Sequence, residues 1–314
     1  MKPAKLLALL LALLLIAAGA GVALTWAPDR SVAELQGRWA APPSAFIKVM
    51  DMDVHYRDEG PRSDPRPIVL LHGTSSSLHT WDGWAADLSQ TRRVIRFDLP
   101  GFGLTGPSPD GIYSMDRYVD FVTAVMEELQ VNRYVLGGNS LGGEIAWEVA
   151  VANPSRVEKL ILVDAGGYPM TGSMPIGFRI AQLPGISSIS SYMLPRSMIE
   201  ASLKDVYGDP SKITPELVDR YYELTLRAGN RAAVSERFAQ SNAGRDADNI
   251  RKVQEPTLII WGAKDKLIPP EYAERFRQDI PGSWVAMFDH LGHVPQEEDP
   301  ARTLDAVRQF LDKP

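Results

Sequence analysis

A serine at the centre of a glycine-rich string is the first residue that could act as a nucleophile. The string Gly138-Asn139-Ser140-Leu141-Gly142-Gly143 follows an apolar run and opens a helical stretch. A strand that turns abruptly into a helix strains its middle residue and exposes that side chain at the carboxyl edge of the sheet. Glycines two positions before and after are needed because side chains there would collide. We therefore predict that Ser140 is a nucleophile, the alternative being a serine in an ordinary glycine-rich turn.

A serine hydroxyl is a poor nucleophile at its ordinary pKa, so it requires a base. The chain has five histidines, and two of them, His290 and His293, follow the last apolar run. We favour His293, because Gly292 before it and Pro295 after it are typical of a fixed turn. His290 comes directly off the run and is expected to cap or pack.

The base in turn needs a carboxylate that orients it, and two aspartates follow apolar runs in the right way. Asp265 follows the run at 257–260, and Asp164 follows the run at 160–163. The alternative role of Asp164 is to hold backbone amides in its loop. We favour Asp265 as the orienting carboxylate, which gives the chain order serine, aspartate, histidine.

Negative charge that develops on an acyl oxygen needs preorganised hydrogen-bond donors. One candidate donor is the amide of Leu141, at the start of the helix after the nucleophile. The other is the amide of Thr74, in a loop where Gly73 allows close approach. We expect His72 in that loop to be structural, with hydrogen bonds inside the loop. The string from Asp98 to Gly103 lacks the features of a phosphate loop and predicts a tight turn that shapes the site.

Strands that end at one edge of a sheet would bring these residues together. Short apolar runs alternate with helical stretches, which predicts strands buried on both faces of a mostly parallel sheet. The runs are Ile68–Leu71, Arg93–Phe97, Tyr134–Gly137, Leu160–Val163, Thr257–Ile260 and Trp284–Phe288. The helical stretches are Thr80–Leu88, Met115–Leu129, Leu141–Ala152, Glu271–Arg277 and Ala301–Leu311. Two earlier runs, Phe46–Val49 and Val54–Arg57, predict a hairpin.

One stretch, residues 166–252, interrupts the alternation and shows no buried strand. Its second half predicts a helix with Thr214 as N-cap, Pro215 at the first position and Gly229 closing it. We interpret the stretch as a helical lid inserted into a core of residues 45–165 and 253–314. Its apolar side chains could line an acyl pocket, and we expect a few of them to touch substrate. They are Met170, Met174, Ile176, Phe178, Ile180, Leu183, Ile186, Tyr192, Met193 and Met198.

The overall composition excludes several classes of protein. The 314 residues carry a net charge of −6 without a basic run, so nothing points to nucleic acid. The chain has no cysteine, which excludes disulfides, a thiol nucleophile and thiolate-bound metal. An ordinary apolar content of 45% is sufficient for a full core.

The N-terminus departs most from average composition. Lys2 and Lys5 precede an apolar run from Leu6 to Trp26. A compact apolar segment followed by Ala18-Gly19-Ala20 is typical of a cleaved signal peptide. A run of about 20 residues could equally cross a bilayer as a helix, with Trp26 at the interface.

We favour the membrane anchor for residues 1–26, followed by a linker at residues 27–44. The lysines stay inside in either case, so the catalytic part is expected on the extracytoplasmic side, periplasmic or extracellular. Secretion after cleavage of a signal peptide is the alternative.

Taken together, these motifs resemble the α/β-hydrolase superfamily, in particular its lidded branch. The resemblance covers about Phe46 to Leu311 and implies a central sheet of about eight strands with the site under the lid. The motifs that carry it are His72-Gly73, Asp98 to Gly103, Gly138 to Gly143, Gly262 to Asp265, and Gly292-His293 with Glu298-Asp299-Pro300. The branch includes esterases and lipases, meta-cleavage-product carbon–carbon hydrolases, epoxide hydrolases and haloalkane dehalogenases.

Departures within the motifs narrow the chemistry. Dehalogenases and epoxide hydrolases of this branch have aspartate at the nucleophile position, where this chain has Ser140. Carbon–carbon hydrolases share the Gly-Asn-Ser-x-Gly-Gly string, but they usually show a Gly- and Pro-rich oxyanion loop and an aromatic residue after the histidine. This chain has Thr74-Ser75-Ser76-Ser77 and Val294 at those places. Monoacylglycerol-lipase-like members with a membrane anchor also resemble the layout.

The resulting prediction is a serine hydrolase that cleaves a carboxylic ester through an acyl-enzyme. Ser140, Asp265 and His293 form the catalytic triad, and the amides of Thr74 and Leu141 form the oxyanion hole. The expected substrate is a small-molecule ester or a lipid-like ester, with no need for a metal or an organic cofactor. The alternatives are a carbon–carbon bond hydrolase of the meta-cleavage-product type and a non-catalytic sensor that retains the pocket.

Overall fold

A central sheet of eight strands runs through the computed structural model, which describes residues 3–169, 171–172, 174–182, 192–241 and 243–313. The strands are β1 (Ala45–Val49), β2 (Met52–Glu59), β3 (Ile68–Leu71), β4 (Val94–Phe97), β5 (Tyr134–Asn139), β6 (Val157–Val163), β7 (Thr257–Gly262) and β8 (Trp284–Phe288). Their order across the sheet is β1-β2-β4-β3-β5-β6-β7-β8. Strands β1 and β2 form an antiparallel hairpin, β2 runs antiparallel to β4, and the remaining neighbours are parallel. The predicted fold class, a mostly parallel sheet with helices, is confirmed.

Twelve α-helices lie in the part of the chain that the structure describes. They are α1 (Pro3–Thr25), α2 (Val32–Trp39), α3 (Asp82–Leu88), α4 (Met115–Glu128), α5 (Leu141–Ala152), α6 (Ile176–Ala181), α7 (Arg196–Val206), α8 (Pro215–Thr225), α9 (Asn230–Gln240), α10 (Glu271–Asp279), α11 (Pro295–Glu298) and α12 (Pro300–Leu311). Short 3-10 turns occur at Leu78–Trp81, Pro210–Lys212 and Ala247–Lys252. The first of these turns leads into α3, so the predicted helix at 80–88 is in fact a 3-10 turn followed by an α-helix.

Apolar side chains on both faces of the sheet explain the continuous apolar runs. In β3, Val69 and Leu71 belong to a core that includes side chains of α4, α5 and α10. Ile68 and Leu70 belong to a second core on the opposite face, together with side chains of α3 and α12. Since successive residues of a strand point to opposite faces, a strand covered on both sides must be apolar throughout.

The helices between β6 and β7 all fall within the stretch that we predict as a lid, residues 166–252. Thr214 caps α8 as predicted, because its hydroxyl accepts a hydrogen bond from the amide of Leu217 at 3.1 Å. The predicted end of that helix is wrong. The helix ends at Thr225, and Gly229 adopts a left-handed conformation (φ +88°) at the N-cap of α9. A left-handed glycine is common after a helix, but here it starts the next one.

The segment after α1 is held against the helices that follow β6. The amide of Ala27 donates to the carbonyl of Tyr192 at 2.8 Å, and the amide of Leu194 donates to the carbonyl of Thr25 at 2.9 Å. Further along, the amide of Arg30 donates to the carbonyl of Leu226 at 2.7 Å. The predicted linker at residues 27–44 is therefore bonded to the folded part of the chain, at least at its beginning.

The N-terminal segment forms the helix α1, for which several side chains are not described. Within the described residues, no helix has both the length and the apolar character needed to cross a membrane. The membrane anchor expected at residues 1–26 stays a prediction.

Candidate active site

The turn between β5 and α5 places Ser140 at the carboxyl edge of the sheet. Ser140 has φ of +56° and ψ of −116°, a region that side chains rarely adopt. Its amide donates to the carbonyl of Val163 at 3.0 Å, and its carbonyl accepts from the amide of Gly166 at 2.9 Å. A side chain at Gly138 would place its Cβ 2.0 Å from the carbonyl oxygen of Gly142. The strained turn that the sequence predicts is therefore present, and glycine is required beside it.

The loop after β3 lies directly against the serine. A Cβ at Gly73 would stand only 3.1 Å from the Cβ of Ser140, so this glycine permits the close approach. Thr74 and Leu141 line the same cavity as Ser140. Leu141 directly follows Ser140 in the chain and Thr74 directly follows Gly73, and the role of their amides as oxyanion donors stays a prediction.

The structure brings His293 and Asp265 together in a buried pair. Nδ1 of His293 lies 2.7 Å from Oδ2 of Asp265, and the two side chains are 5% and 0% exposed. The other ring nitrogen of His293, Nε2, is buried and has no hydrogen-bond partner among the described residues. His293 and Ser140 line the same cavity, although the described part of the chain shows no direct hydrogen bond between them. The pairing at Nδ1 leaves Nε2 available to accept a proton.

Two backbone amides hold the Asp265 carboxylate from its other side. Oδ1 of Asp265 accepts from the amide of Leu267 at 2.8 Å and from the amide of Ile268 at 3.0 Å. Asp265 thus keeps one oxygen for the histidine while the chain just after it fixes the other. Hydrogen bonds of this kind hold the carboxylate in one orientation.

The main chain of His293 is fixed by residues that sequence reasoning did not single out. Its amide donates to the carbonyl of Val206, at the end of α7, at 2.7 Å. The carbonyl of His293 accepts from the side-chain Nδ2 of Asn139 at 2.9 Å. The same Nδ2 also donates to the carbonyl of Val163 at 3.1 Å. Asn139 precedes the nucleophile in the glycine-rich string, so the sequence shows a side-chain amide at this position. It does not show which distant carbonyls the amide binds.

Glu298 fastens the loop that carries His293 to the chain after α7. Its carboxylate accepts from three backbone amides, those of Gly292 at 2.8 Å, Gly208 at 3.0 Å and Asp209 at 2.8 Å. The side chain is buried, so these amides replace the water that would otherwise solvate it. The sequence signal was the Glu298-Asp299-Pro300 string after the histidine, which predicts a fixed turn without naming its partners.

Asp164, the competing candidate for the orienting carboxylate, does not pair with the histidine. Oδ1 of Asp164 accepts from the amide of Gly262 at 3.0 Å, in agreement with the alternative that it holds backbone amides. It is completely buried, and its backbone has φ of +43°. Burial raises the pKa of the Asp164 carboxyl well above its usual range, and the nearby charge of Asp265 raises it further.

His72 has a structural role, as the sequence predicts, although one of its two hydrogen bonds reaches outside its own loop, and Asp98 binds the turn that follows it. Nδ1 of His72 lies 2.8 Å from the carbonyl of Gly73, and its Nε2 accepts from the amide of Leu99 at 2.9 Å. Asp98 accepts from the amides of Leu78 and Leu104 at 2.7 Å and 2.8 Å. Burial lowers the pKa of His72, which keeps its ring neutral.

His290 was expected to cap or to pack, and its exposure contradicts the packing alternative. It follows β8 at the surface, whereas His293 lies three residues further on in the buried loop. Of the two histidines, His293 lines the cavity and His290 does not.

A cavity of about 560 Å³ lies between the sheet edge and the helices of residues 166–252. This volume is within the range of small-molecule sites. Among the lid residues predicted to line a pocket, five do so in the structure: Met174, Phe178, Ile180, Met193 and Met198. Ile176 and Tyr192 are exposed. Met170, Leu183 and Ile186 lie outside the described residues.

The cavity also has charged side chains, Glu144 and Arg237 among them. Glu144 lies one helical turn after Ser140 in α5, and Arg237 belongs to α9. Burial raises the pKa of Glu144, and the charge of Arg237 opposes this rise. A buried cation and a carboxyl group therefore face an otherwise largely apolar space.

Asp164, Asp265 and His293 are also close enough together to hold a metal ion, since one potential ligand atom of each lies within 4.8 Å of the others. The oxygens of Asp265 are already engaged by His293 and by the amides of Leu267 and Ile268. Binding of a metal through Nδ1 of His293 would break the hydrogen bond that joins it to Asp265. The arrangement therefore serves better as a hydrogen-bonded chain than as a metal centre.

Comparison with known proteins supports the fold class. A family model described as the alpha/beta hydrolase fold matches residues 66–300. An uncharacterized protein of Mycobacterium tuberculosis is 32% identical over 260 residues, which cover 78% of this chain and 75% of that protein. A 2-hydroxy-6-oxo-2,4-heptadienoate hydrolase of Pseudomonas putida is 30% identical over 257 residues, which cover 78% of this chain and 88% of that enzyme.

A solved structure with a similar fold is that of a meta-cleavage product hydrolase from Pseudomonas fluorescens IP01. It matches with a TM-score of 0.73 and 26% sequence identity, and the match covers 85% of this chain and 97% of that chain. The similarity therefore extends over almost the whole of that enzyme.

Replacement of Glu298 by glutamine tests how far the histidine loop depends on its amide contacts. Glutamine keeps the shape but has one acceptor oxygen, so it cannot accept from all three amides. We expect E298Q to lower the free energy of unfolding by about 1–3 kcal/mol, because buried amides lose their acceptor. We also expect kcat for an activated ester to fall about tenfold, because His293 loses its fixed position. Urea unfolding and steady-state kinetics measure the two effects. E128Q, at an exposed position of α4, is the control, and equal behaviour of the two variants would contradict the prediction.

Proposed function

The chain belongs to the α/β-hydrolase family and is a hydrolase, and we propose that it cleaves carboxylic esters through an acyl-enzyme formed on Ser140. One observation carries the proposal. A histidine is hydrogen-bonded to a buried aspartate through Nδ1, while its free Nε2 is buried at the cavity that Ser140 also lines. This is the relation between base, orienting group and nucleophile that serine hydrolysis requires.

In the proposed reaction, Nε2 of His293 takes the proton of Ser140 as the hydroxyl oxygen attacks the ester carbonyl carbon. Asp265 keeps the proton of the neutral ring on Nδ1 and stabilises the imidazolium that forms. His293 then donates a proton to the departing alcohol as the carbon–oxygen bond breaks. Water attacks the acyl-enzyme, with His293 as the base, and the acid leaves with Ser140 restored.

The charge on the carbonyl oxygen is stabilised by the amides of Leu141 and Thr74. Leu141 begins α5, where backbone N–H groups are not used within the helix and the helix dipole favours negative charge. Because these donors belong to the main chain, they are in place before the substrate arrives, which is the basis of electrostatic preorganisation. The proposal requires no metal and no organic cofactor.

The largely apolar cavity supports a substrate with an aliphatic or aromatic acyl group. Met174, Met193 and Met198 are among its lining residues. Methionine side chains are flexible and adapt to irregular apolar shapes. A small-molecule ester or a lipid-like ester of moderate length fits the volume.

Replacement of Ser140 by alanine tests the nucleophile. We expect S140A to abolish turnover of p-nitrophenyl butyrate, with kcat lower by about a millionfold or below detection, because the acyl-enzyme cannot form. Covalent labelling of the wild type by a fluorophosphonate, absent in S140A, would separate a working enzyme from a sensor that retains the pocket. Unchanged ester turnover in S140A would refute the assignment. An unlabelled wild-type protein would instead favour the sensor.

A second candidate reaction is carbon–carbon bond hydrolysis of a dienoate. Two observations favour it, the relative named 2-hydroxy-6-oxo-2,4-heptadienoate hydrolase and the buried Arg237 that lines the cavity. An arginine could bind the carboxylate of such a substrate through two hydrogen bonds. Glu144 opposes this use of Arg237, since it is an acidic group in the same cavity. For this reason we rank ester hydrolysis first.

Replacement of Arg237 by methionine separates the two reactions. If the enzyme cleaves esters, R237M should change kcat/KM for p-nitrophenyl butyrate by less than about threefold, because an uncharged substrate needs no cation. If it cleaves dienoates, R237M should lower kcat/KM for a meta-cleavage-product dienoate by about tenfold or more, because a charged hydrogen bond is lost. R179M, on the exposed side of α6, is the control. A wild-type preference for the dienoate over p-nitrophenyl esters of any chain length would reverse our ranking.

We also propose that residues 1–26 anchor the protein in a membrane, with the catalytic part on the extracytoplasmic side. The support lies in the sequence, where Lys2 and Lys5 precede the apolar run that ends at Trp26. N-terminal sequencing of the mature protein should return the original N-terminus, and the protein should remain in the membrane fraction after a high-salt wash. A mature chain that begins at Gly21 would refute the anchor and favour secretion.

A further inference from the structure

A second aspartate lies beside the Asp265–His293 pair, and the proposed reaction does not use it. Asp164 follows β6, and none of its side chain is exposed. One of its oxygens lies within 4.8 Å of a carboxylate oxygen of Asp265 and of a ring nitrogen of His293. The amide of Asp164 donates to the carbonyl of Ile260 in β7 at 3.0 Å, so its position is set by the sheet edge itself.

The two aspartates differ in the number of donors that serve them. Asp265 accepts from Nδ1 of His293 and from the amides of Leu267 and Ile268. Asp164 accepts from one amide, that of Gly262, through Oδ1. Its other oxygen, Oδ2, is buried without a partner among the described residues. An ionised Asp164 would therefore hold a buried negative charge with a single donor, whereas an ionised Asp265 is well solvated by the protein.

Like charges make the ionised form of Asp164 costlier still. The groups that face it from the surrounding elements are Asp265 in the loop after β7, Glu298 in α11 and His293 in the loop after β8. Two of these are acidic, and Glu298 already accepts from three amides. In a buried site, a second negative charge this close raises the cost of ionising a carboxylate, which favours a proton on one of the two aspartates. The donor count assigns that proton to Asp164.

We propose that Asp164 remains protonated at neutral pH and donates its carboxyl proton in a hydrogen bond to Asp265, so that it positions the carboxylate which orients His293. This assignment rests on the proposed function only for its effect on catalysis. It gives the orphan Oδ2 an acceptor, since a protonated oxygen is a donor and Asp265 has lone pairs to receive it. The direction of the Asp164 pKa, raised by burial and by the charge of Asp265, agrees with the geometry.

Asp164 is a positioning residue in this arrangement, because it acts on the substrate only through Asp265 and His293. Without it, the Asp265 carboxylate keeps its two backbone donors but loses the contact from the side of β6. A small rotation of Asp265 would tilt the imidazole, and catalysis is sensitive to misplacement of a base by a fraction of an ångström. The consequence is a lower kcat with little change in KM.

Infrared spectroscopy tests the proton directly and does not depend on any activity. The carbonyl stretch of a protonated carboxyl group is separate from the bands of an ionised carboxylate. The difference spectrum of full-length wild-type protein minus D164N at neutral pH should contain a protonated-carboxyl band. The same spectrum for D289N, at an exposed aspartate after β8, should contain ionised-carboxylate bands in its place. A difference spectrum of wild type minus D164N with only ionised-carboxylate bands would overturn the proposal.

Kinetics across a pH series test the positioning role with p-nitrophenyl butyrate as the substrate. The asparagine side chain in D164N can still accept from Gly262 and donate to Asp265, so we expect kcat within about threefold of the wild type. D164L lacks the donor and should lower kcat by about tenfold to a hundredfold, with KM changed less than about twofold. An ionised Asp164 would support the imidazolium, so D164N would then move the acid limb of the kcat/KM profile to lower pH.

The outcomes separate the protonation state of Asp164, its positioning role and the proposed function. An acid limb that stays in place for D164N supports a neutral Asp164, and a shift of about half a pH unit or more contradicts it. D164L with wild-type kcat would refute the positioning role. If D164L does not fold, the D164N infrared and pH data still decide the protonation state. A wild-type protein without esterase activity would refute the proposed function, while the infrared result would stand on its own.

Discussion

The backbone turn at Ser140 is the constraint on which the rest of the site depends. A positive φ at a residue that carries a side chain is strained, and it persists only where the surroundings enforce it. Here β5 lies between β3 and β6 in the sheet, and α5 must start immediately after it. A Cβ at residue 142 would lie 2.2 Å from the carbonyl oxygen of Leu71, so α5 can approach β3 this closely only because residue 142 is glycine. The other functional groups must be positioned relative to the serine that this turn exposes.

Buried carboxylates that accept backbone amides assemble the groups around that serine. Asp98 joins the loop at Leu78 to the loop at Leu104, and Glu298 joins the histidine loop to the chain after α7. Each of these carboxylates replaces its hydration by N–H donors from two separate segments, one nearby in sequence and one distant. These hydrogen bonds hold the loops at the sheet edge in one arrangement.

The sequence predicted the main strands and the Asp265–His293 pair, but not the hydrogen bonds that hold the loops around them. Strands such as β3 and β8, and the helix α5, were predicted with their observed boundaries, because burial on both faces and the elbow string leave strong patterns. His293 and Asp265 were predicted as partners from their places after strands, and the structure brings them together. The contacts of Asn139 and Glu298 were not predictable, since they join carbonyls and amides whose proximity only the folded chain creates. The end of α8 was misplaced because a left-handed glycine serves equally after one helix or before the next.

The hydrogen bonds from the chain after α7 to the histidine loop imply a thermodynamic linkage. The carbonyl of Val206 accepts from His293, and the amides of Gly208 and Asp209 donate to Glu298. Any rearrangement that lifts this part of the inserted helices must break the bonds that fix the base. The position of these helices and the position of the base are therefore coupled, and the coupling free energy acts equally in both directions. A ligand in the cavity that holds these helices in place would therefore also hold the histidine, through the main-chain bond at Val206 and through the carboxylate of Glu298.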